Sequence, residues 1–373
     1  MNFQLSKMLD NLKIRTYNQA IINRLNEVGG FVVCDSLSNR FTSKQHYTTE
    51  KIKLHFYKVE SGYAYVDISL SPHYHFNDYR HNGNDFSVND CIKTLTDILH
   101  LFGIKDTEFS EFKPVNLEFG VNITPHQDTR QIIDGVTYYK KTKFIHSRTK
   151  GGDLEYSKIS DATSEKQIKI YAKGLQCHEV LHTPEIDANT LRYEIKSKRS
   201  RYLKKLGINN LTDLLTPKTY TRLSQELIND FNHILILNFN ANLDALTPKD
   251  RGYITRANSV EFWDNLTSEK HRNSFGYNRQ KYERILKAEK FKHALIFAQI
   301  LDKILKINFC ANSSKKTTMN KGKSNFDQNP SDVIKWENAQ KTLNTKIKQA
   351  KKTVKNNDKK EVKKPHQNNA KLS

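Results

Sequence analysis

The stretch Gln167–Lys173, QIKIYAK, alternates apolar and polar side chains without a break. A period of two marks a β-strand with one buried face, because successive side chains of a strand point to opposite sides of its sheet. Ile168, Ile170 and Ala172 then face a core, and Gln167, Lys169, Tyr171 and Lys173 share the other side. The same alternation runs through Leu191–Lys198, where Leu191, Tyr193 and Ile195 are apolar and Arg192, Glu194 and Lys196 lie opposite. In Val115–Ile123 the polar side carries Asn116, Glu118 and Gly120, and in Tyr63–Leu70 it carries Tyr65, Asp67 and Ser69. Ile52–Val59 and Leu154–Ile159 read as two further strands.

One helix is clearly signalled among these strands. Ser87 and Asp90 resemble a capping pair, Ile92, Leu95, Ile98 and Leu99 follow at helical spacing, and Gly103 ends the run. Residues 1–207 are therefore expected to form an α+β domain, a mainly antiparallel sheet with flanking helices. After Gly207 the period becomes helical, in Thr219–Asn238, Val260–Leu266 and the amphipathic stretch Arg279–Ile307, which predicts a helical lobe over 208–312. From Lys315 to Lys371 there are 16 lysines, no arginine and 5 acids, with little apolar periodicity, so residues 313–373 are expected to be a disordered Lys-rich tail.

The chain of 373 residues holds 61 Lys plus Arg against 40 Asp plus Glu, a formal charge of +21, which points to a polyanionic partner. Its apolar runs, the best being His233–Phe239 and Ala294–Leu301, fall short of the roughly 18 residues that cross a bilayer. Without a signal-peptide pattern at Met1–Arg15, a cytoplasmic protein is expected, with no membrane partner. Cys34, Cys91, Cys177 and Cys310 are widely spaced, which suits buried small hydrophobes better than a zinc ribbon or a disulfide framework. There is no GxxxxGK[ST] loop, so any duplex unwinding calls for a separate helicase.

If the four sorted strands share a sheet, one face gathers Asp67, Glu118, Glu194, Tyr171 and a ring of Lys and Arg. Carboxylate oxygens suit a hard divalent cation such as Mg²⁺ or Mn²⁺. A phenol with a pKa of about 10 is a poor nucleophile at neutral pH until nearby cations lower that value. A metal and Lys173 would do so, and the same cations would neutralise charge building on a phosphodiester under attack. Lys169, Lys196, Arg192 and Arg199 are the candidate DNA contacts. The bland alternative is a solvated polar sheet face.

Several segments also resemble a known family. LRYEIKSKRSRYLKKLGINNLTDLL (Leu191–Leu215) and IKIYAKGLQ (Ile168–Gln176), preceded in order by YVDISLSP (Tyr65–Pro72), HNGNDF and NLEFGVNIT (Asn116–Thr124), are similar to segments of the gene II/X rolling-circle replication initiators of filamentous phages and related plasmids. The resemblance covers roughly residues 50–216. It implies an enzyme that nicks one strand of a double-stranded origin, keeps the 5′ phosphate on a tyrosine, leaves a 3′ hydroxyl for the host polymerase and later rejoins the displaced single strand. Carried over, Tyr171 is the nucleophile, Lys173 its neighbouring cation, Glu118 a metal ligand, Glu194 a second acidic site and Arg192 a phosphate contact; Asp67 matches a position that only tends to be acidic.

Other readings stand beside this one. His73 and His75 have a His-hydrophobic-His spacing that could bind a metal, and Cys177, His178 and His182 are a weaker candidate set. The basic residues Arg279, Lys281, Arg284, Lys287, Lys290 and Lys292 could contact duplex DNA or coat a solvated helix. A non-enzymatic basic DNA-binding protein is the rival function, and a mobilisation relaxase would share the same chemistry.

Overall fold

QIKIYA forms the third strand from one edge of a broad antiparallel sheet, between two other strands that alternation marks out. The computed structural model describes residues 9–27, 31–35, 40–43, 52–60, 62–147, 156–267, 273–287 and 291–313, with backbone alone for 31–35, 40–43 and 305–313. The Lys-rich segment from 314 onward, with its expected disorder, lies outside the described residues, as do Leu154 and Glu155.

The strands are β1 (Leu9–Thr16), β2 (Phe31–Asp35), β3 (Arg40–Ser43), β4 (Lys53–Val59), β5 (Gly62–Leu70), β6 (Lys113–Ile123), β7 (Val136–Tyr139), β8 (Thr142–Lys143), β9 (Ile145–His146), β10 (Ser157–Ser160), β11 (Lys166–Ala172), β12 (Leu191–Ser197) and β13 (Ile234–Ile236). Ten form one sheet in the order β2-β3-β4-β5-β1-β6-β12-β11-β10-β9, and β13-β7-β8 form a small second one. Each described pairing is antiparallel. The fold is thus α+β, built on a large antiparallel sheet with helices.

The apolar set of each sorted strand is buried. Leu117, Phe119, Val121, Ile168, Ile170, Tyr193 and Ile195 all lie in the core. Helix α1 (Gln19–Glu27) follows β1, and α2 (Pro72–Phe76) follows β5. In α3 (Val88–Leu101) the Ser87 hydroxyl accepts from Asp90 N at 2.9 Å, and Gly103 ends the helix with a φ of +66°, as the capping signals predict. Helix α4 is Thr129–Gly135 and α5 is Ser200–Lys205. Helix α6 (Pro217–Phe231) packs on the core side of the sheet, where Tyr193 Oη donates to Leu227 O at 3.1 Å and its ring meets Phe231 edge-on.

The helix expected over Thr219–Asn238 stops at Phe231, and Ile234–Ile236 instead pairs with β7. Helices α7 (Pro248–Ala257) and α8 (Val260–Asp264) follow, and the stretch Arg279–Ile307 is divided between α9 (Ser274–Leu286) and α10 (Lys292–Ser313). Trp263, Phe275, Tyr282 and Leu286 cluster with Tyr138 and Leu235 of the small sheet and with Leu237 just beyond it. The described residues fall within one compact unit, strand-rich before residue 207 and helix-rich after it. Among the described residues no helix is long and apolar enough to cross a membrane.

The polar side of the large sheet is covered at one end by residues 71–87, which include α2. Ser71 Oγ donates to Asn11 Oδ1 at 2.7 Å, Asn122 Nδ2 donates to Gly83 O at 2.5 Å, and Asn82 Nδ2 donates to Asp10 Oδ1 at 2.5 Å. Within this cover His73 is buried and stacked on Phe86 at 4.7 Å.

Candidate metal and tyrosine centre

Register brings the chemistry together. Glu194 lies between Gly120 on β6 and Lys169 on β11, Glu118 pairs with Lys196, and Arg192 pairs with Tyr171. Residues directly opposite in an antiparallel pair share a face, so these side chains converge. Gly120 makes the space: a Cβ there would stand 2.5 Å from Tyr193 O and 2.6 Å from Glu194 Cβ.

A third carboxylate joins from β1. The β1–β6 register slips between Leu9, opposite Phe119, and Asn11, opposite Glu118. Such a bulge places two successive residues against one partner position and re-aims a side chain. Leu9 stays in the core while Asp10 turns to the polar side with Asn11, which donates to Glu118 Oε2 at 3.1 Å. Asp10, Glu118 and Glu194 each offer an oxygen within 4.8 Å of the others, and they are only 8, 5 and 2% exposed.

Cations surround the acids. Lys169 Nζ bridges Glu118 at 3.2 Å and Glu194 at 3.0 Å, Lys196 pairs with Glu118 at 2.6 Å, and Arg192 pairs with Asp10 at 3.1 Å. Burial pushes the Asp10 carboxyl up to about 7, with the Glu194 charge adding to the shift. Burial also acts to raise Glu194, but Lys169 and Arg192 prevail and hold it below the ordinary carboxylate range. Burial works to lower Lys169, yet Glu194 and Glu118 keep it above the ordinary lysine value.

Tyr171 is 9% exposed and its Oη donates to Glu194 Oε2 at 3.3 Å. Burial, then the neighbouring acids Glu194, Asp10 and Glu118, push the phenol well above its usual value. Lys173 begins the short turn after β11. Its buried Nζ donates to Gln176 Oε1 at 2.6 Å and lies 5.9 Å from the Tyr74 ring centroid, and burial depresses its pKa.

The structure therefore brings together Tyr171, Lys173, Glu118, Glu194, Lys169 and Lys196. Asp67 shares the face but is not part of the acid cluster: it takes a bidentate contact from Arg15 Nε at 2.6 Å and Nη2 at 3.0 Å. Its expected place among the metal ligands is taken in this grouping by Asp10. Arg192, expected on a phosphate, is 1% exposed and spends its guanidinium inside the protein, on Asp10, on Asn122 Oδ1 at 2.9 Å and on the Asn82 carbonyl. Arg199 is exposed at the start of α5.

His73 Nε2 pairs with Asn84 Oδ1 at 2.7 Å, and His178 Nε2 donates to Ile186 O at 2.5 Å, which engages these rings in the fold. Among the described residues, Asp10, Glu118 and Glu194 are the grouping with metal-ligand spacing. Cys91 and Cys177 are buried free thiols. On α9 and α10, Arg279 pairs with Glu283, Lys281 lies over the Tyr253 ring and Lys292 is buried, so much of that basic set is engaged internally. No family model matches the chain, and no curated protein matches it.

Proposed function

We propose that the protein is a metal-dependent DNA nickase and strand-joining enzyme with Tyr171 as its nucleophile, a rolling-circle replication initiator of the kind its segments resemble. The observation that carries this reading is the hydroxyl of Tyr171, 3.3 Å from Glu194, at the rim of three buried carboxylates in a chain of charge +21. An all-oxygen donor set suits Mg²⁺ or Mn²⁺. The Lys169 ammonium nested between Glu118 and Glu194 marks the same place as favourable for a cation. Asp10, Glu118 and Glu194 would hold the ion. It would supply positive charge to the scissile phosphate and lower the pKa of the phenol.

The rest is the work of the chain's own groups. Glu194 orients Tyr171 Oη and accepts its proton as the Tyr171 oxygen bonds to phosphorus. The bond from phosphorus to the 3′ oxygen breaks, and a proton returns to that oxygen. The products are a 5′-phosphotyrosine link and a free 3′ hydroxyl; rejoining is the reverse reaction at the same phosphorus. Arg192 holds Asp10 and Asn122 in place and thereby fixes the geometry of the acids.

One observation favours the rival reading of a non-enzymatic DNA-binding protein: every acid of the cluster already has a Lys or Arg partner. A single experiment separates the two. Supercoiled plasmid carrying the protein's own replicon, incubated with the full chain and Mg²⁺ or Mn²⁺, should give a nicked circle with DNA covalently attached to the peptide containing Tyr171. Tyr171→Phe should abolish the adduct, a loss of at least about 1,000-fold for removal of a nucleophile. Binding with neither nick nor adduct in either metal would establish the rival, and nicking that survives in Tyr171→Phe would move the nucleophile elsewhere.

A further inference from the structure

The same polar sheet face continues beyond the carboxylates along β1, β5 and β4, and there its character changes. Tyr57 and Tyr65 are a cross-strand pair, stacked with centroids 4.2 Å apart. Tyr17, just past the end of β1 and 52% exposed, meets Tyr65 at 5.6 Å. The Arg15 guanidinium lies 3.8 Å from the Tyr65 ring centroid, and Lys113 Nζ lies 5.9 Å from that of Tyr17. Arg15 is opposite both Asp67 and Lys113, and Lys13, two residues along the same face, is half-buried opposite Ser69 and Asn116.

Asp67 here has a definite task. Its two oxygens grip Arg15 from the β5 side, a hydrogen-bonded pairing that raises the guanidinium pKa and fixes the cation over Tyr65. A column of a guanidinium and two rings, with a third exposed ring beside it and lysines at its border, has the components of a single-strand binding surface. Bases of any sequence stack on aromatic and guanidinium planes while lysines meet the phosphates. From Arg15 back to Asn11, which contacts Glu118, is about 13 Å along one strand.

We propose that Tyr17, Tyr57 and Tyr65, with Arg15, Lys13 and Lys113, form a stacking platform for single-stranded DNA that holds the strand next to the Tyr171 centre. The assignment of this strand as substrate rests on the nicking reading; binding itself does not. Charge complementarity favours a polynucleotide over a protein partner, since the platform is bordered by cations in a chain of charge +21.

The test is fluorescence anisotropy of a labelled oligodeoxythymidylate about 16 nucleotides long with the full chain, at low and at high salt. Tyr17→Ala should weaken binding about 10-fold, and Tyr17→Ala with Tyr57→Ala about 100-fold, while Tyr57→Phe stays near the parent because the ring is what stacks. The loss should persist at high salt, where purely ionic binding to the Lys-rich segment fades. Affinity within about two-fold of the parent in a Tyr17→Ala variant that melts normally would overturn the platform, and so would an equal loss in Tyr57→Phe. Nicking is not part of this readout. A parent chain that binds the oligonucleotide through these rings yet never nicks would sink the nickase and keep the platform; the converse result would do the opposite.

Discussion

Two ends of one sheet face meet in β1 and solve opposite problems. At the β6–β12–β11 end, Asp10, Glu118, Glu194, Tyr171 and Arg192 are all under 10% exposed, and residues 71–87 lie over them. At the β4–β5–β1 end, Tyr17 is open and Tyr57, Tyr65 and Arg15 are half-exposed. Both ends arise from the same alternation of apolar and polar residues. What separates them is a covering segment, and with it the local dielectric. Burial makes each charge of the acid cluster depend strongly on its partner, which shifts pKa values and prepares a site for a cation. Exposure leaves rings and cations free to accept a ligand at little desolvation cost.

The sharpest way to break this comparison is to remove one arginine from each end. Arg192→Ala would strand Asp10 and leave the Asn122 and Asn82 oxygens without their donor, and should destabilise the protein by about 3–5 kcal/mol in urea unfolding. Arg15→Ala takes the bidentate partner from the buried Asp67, but the vacated Arg15 position, itself 24% exposed, admits water to that carboxylate, so the cost should be about 1–2 kcal/mol while oligonucleotide binding weakens. Equal losses would mean that the two ends do not differ in dielectric. The next effect is chemical: Asp10→Asn should reduce nicking and Mn²⁺ affinity by about 100-fold and leave binding of the labelled oligonucleotide unchanged. Unaltered Mn²⁺ affinity, read by calorimetry, would remove Asp10 from the ion site.

Which parts of this arrangement were legible follows from how far a period of two carries. It assigned Tyr171, Lys169, Glu194, Arg192 and Glu118 to one face, because β6, β11 and β12 keep strict alternation. It missed Asp10 because Leu9–Thr16 is not among the strands read from the sequence, and the bulge between Leu9 and Asn11 breaks the period where the acid turns inward. Alternation also gives the face without the position along it. Asp67 shares a face with Glu118 yet sits beside Arg15, four residues up β1 from Asn11. Arg192 is expected on a phosphate because the family resemblance implies it; the cover that buries it comes from residues more than 100 positions away, as with Asn82. The short run Ile234–Ile236 fits a helix or a strand equally well, and pairing with β7 decides it.

The smallest predicted effect tests whether the cover belongs to the buried end. His73 sits in α2 with Nε2 paired to Asn84, and its Nδ1 has no hydrogen-bond partner among the described residues. Burial pushes its pKa down to about 3. A histidine depressed in the folded state contributes stability that is complete above its unfolded value of about 6.5 and is lost as pH falls toward the folded value. Between pH 6 and 5 that single group should remove about 1 kcal/mol of unfolding free energy. His293, stacked 5.0 Å from Phe231 on the helical side and pushed down to about 4 by burial, adds a slope of the same sign. His73→Gln, which keeps a neutral polar partner for Asn84, should therefore take about 1 kcal/mol per pH unit off the slope between about pH 5 and 6 and leave in place the His293 share and the opposing share of the raised Asp10 carboxyl. If the flattening is seen in urea titrations while oligonucleotide affinity is the same at both pH values, the cover is part of the buried end alone. An unchanged slope in His73→Gln would mean that water reaches the ring and that the two ends of the sheet are more alike than their burial suggests.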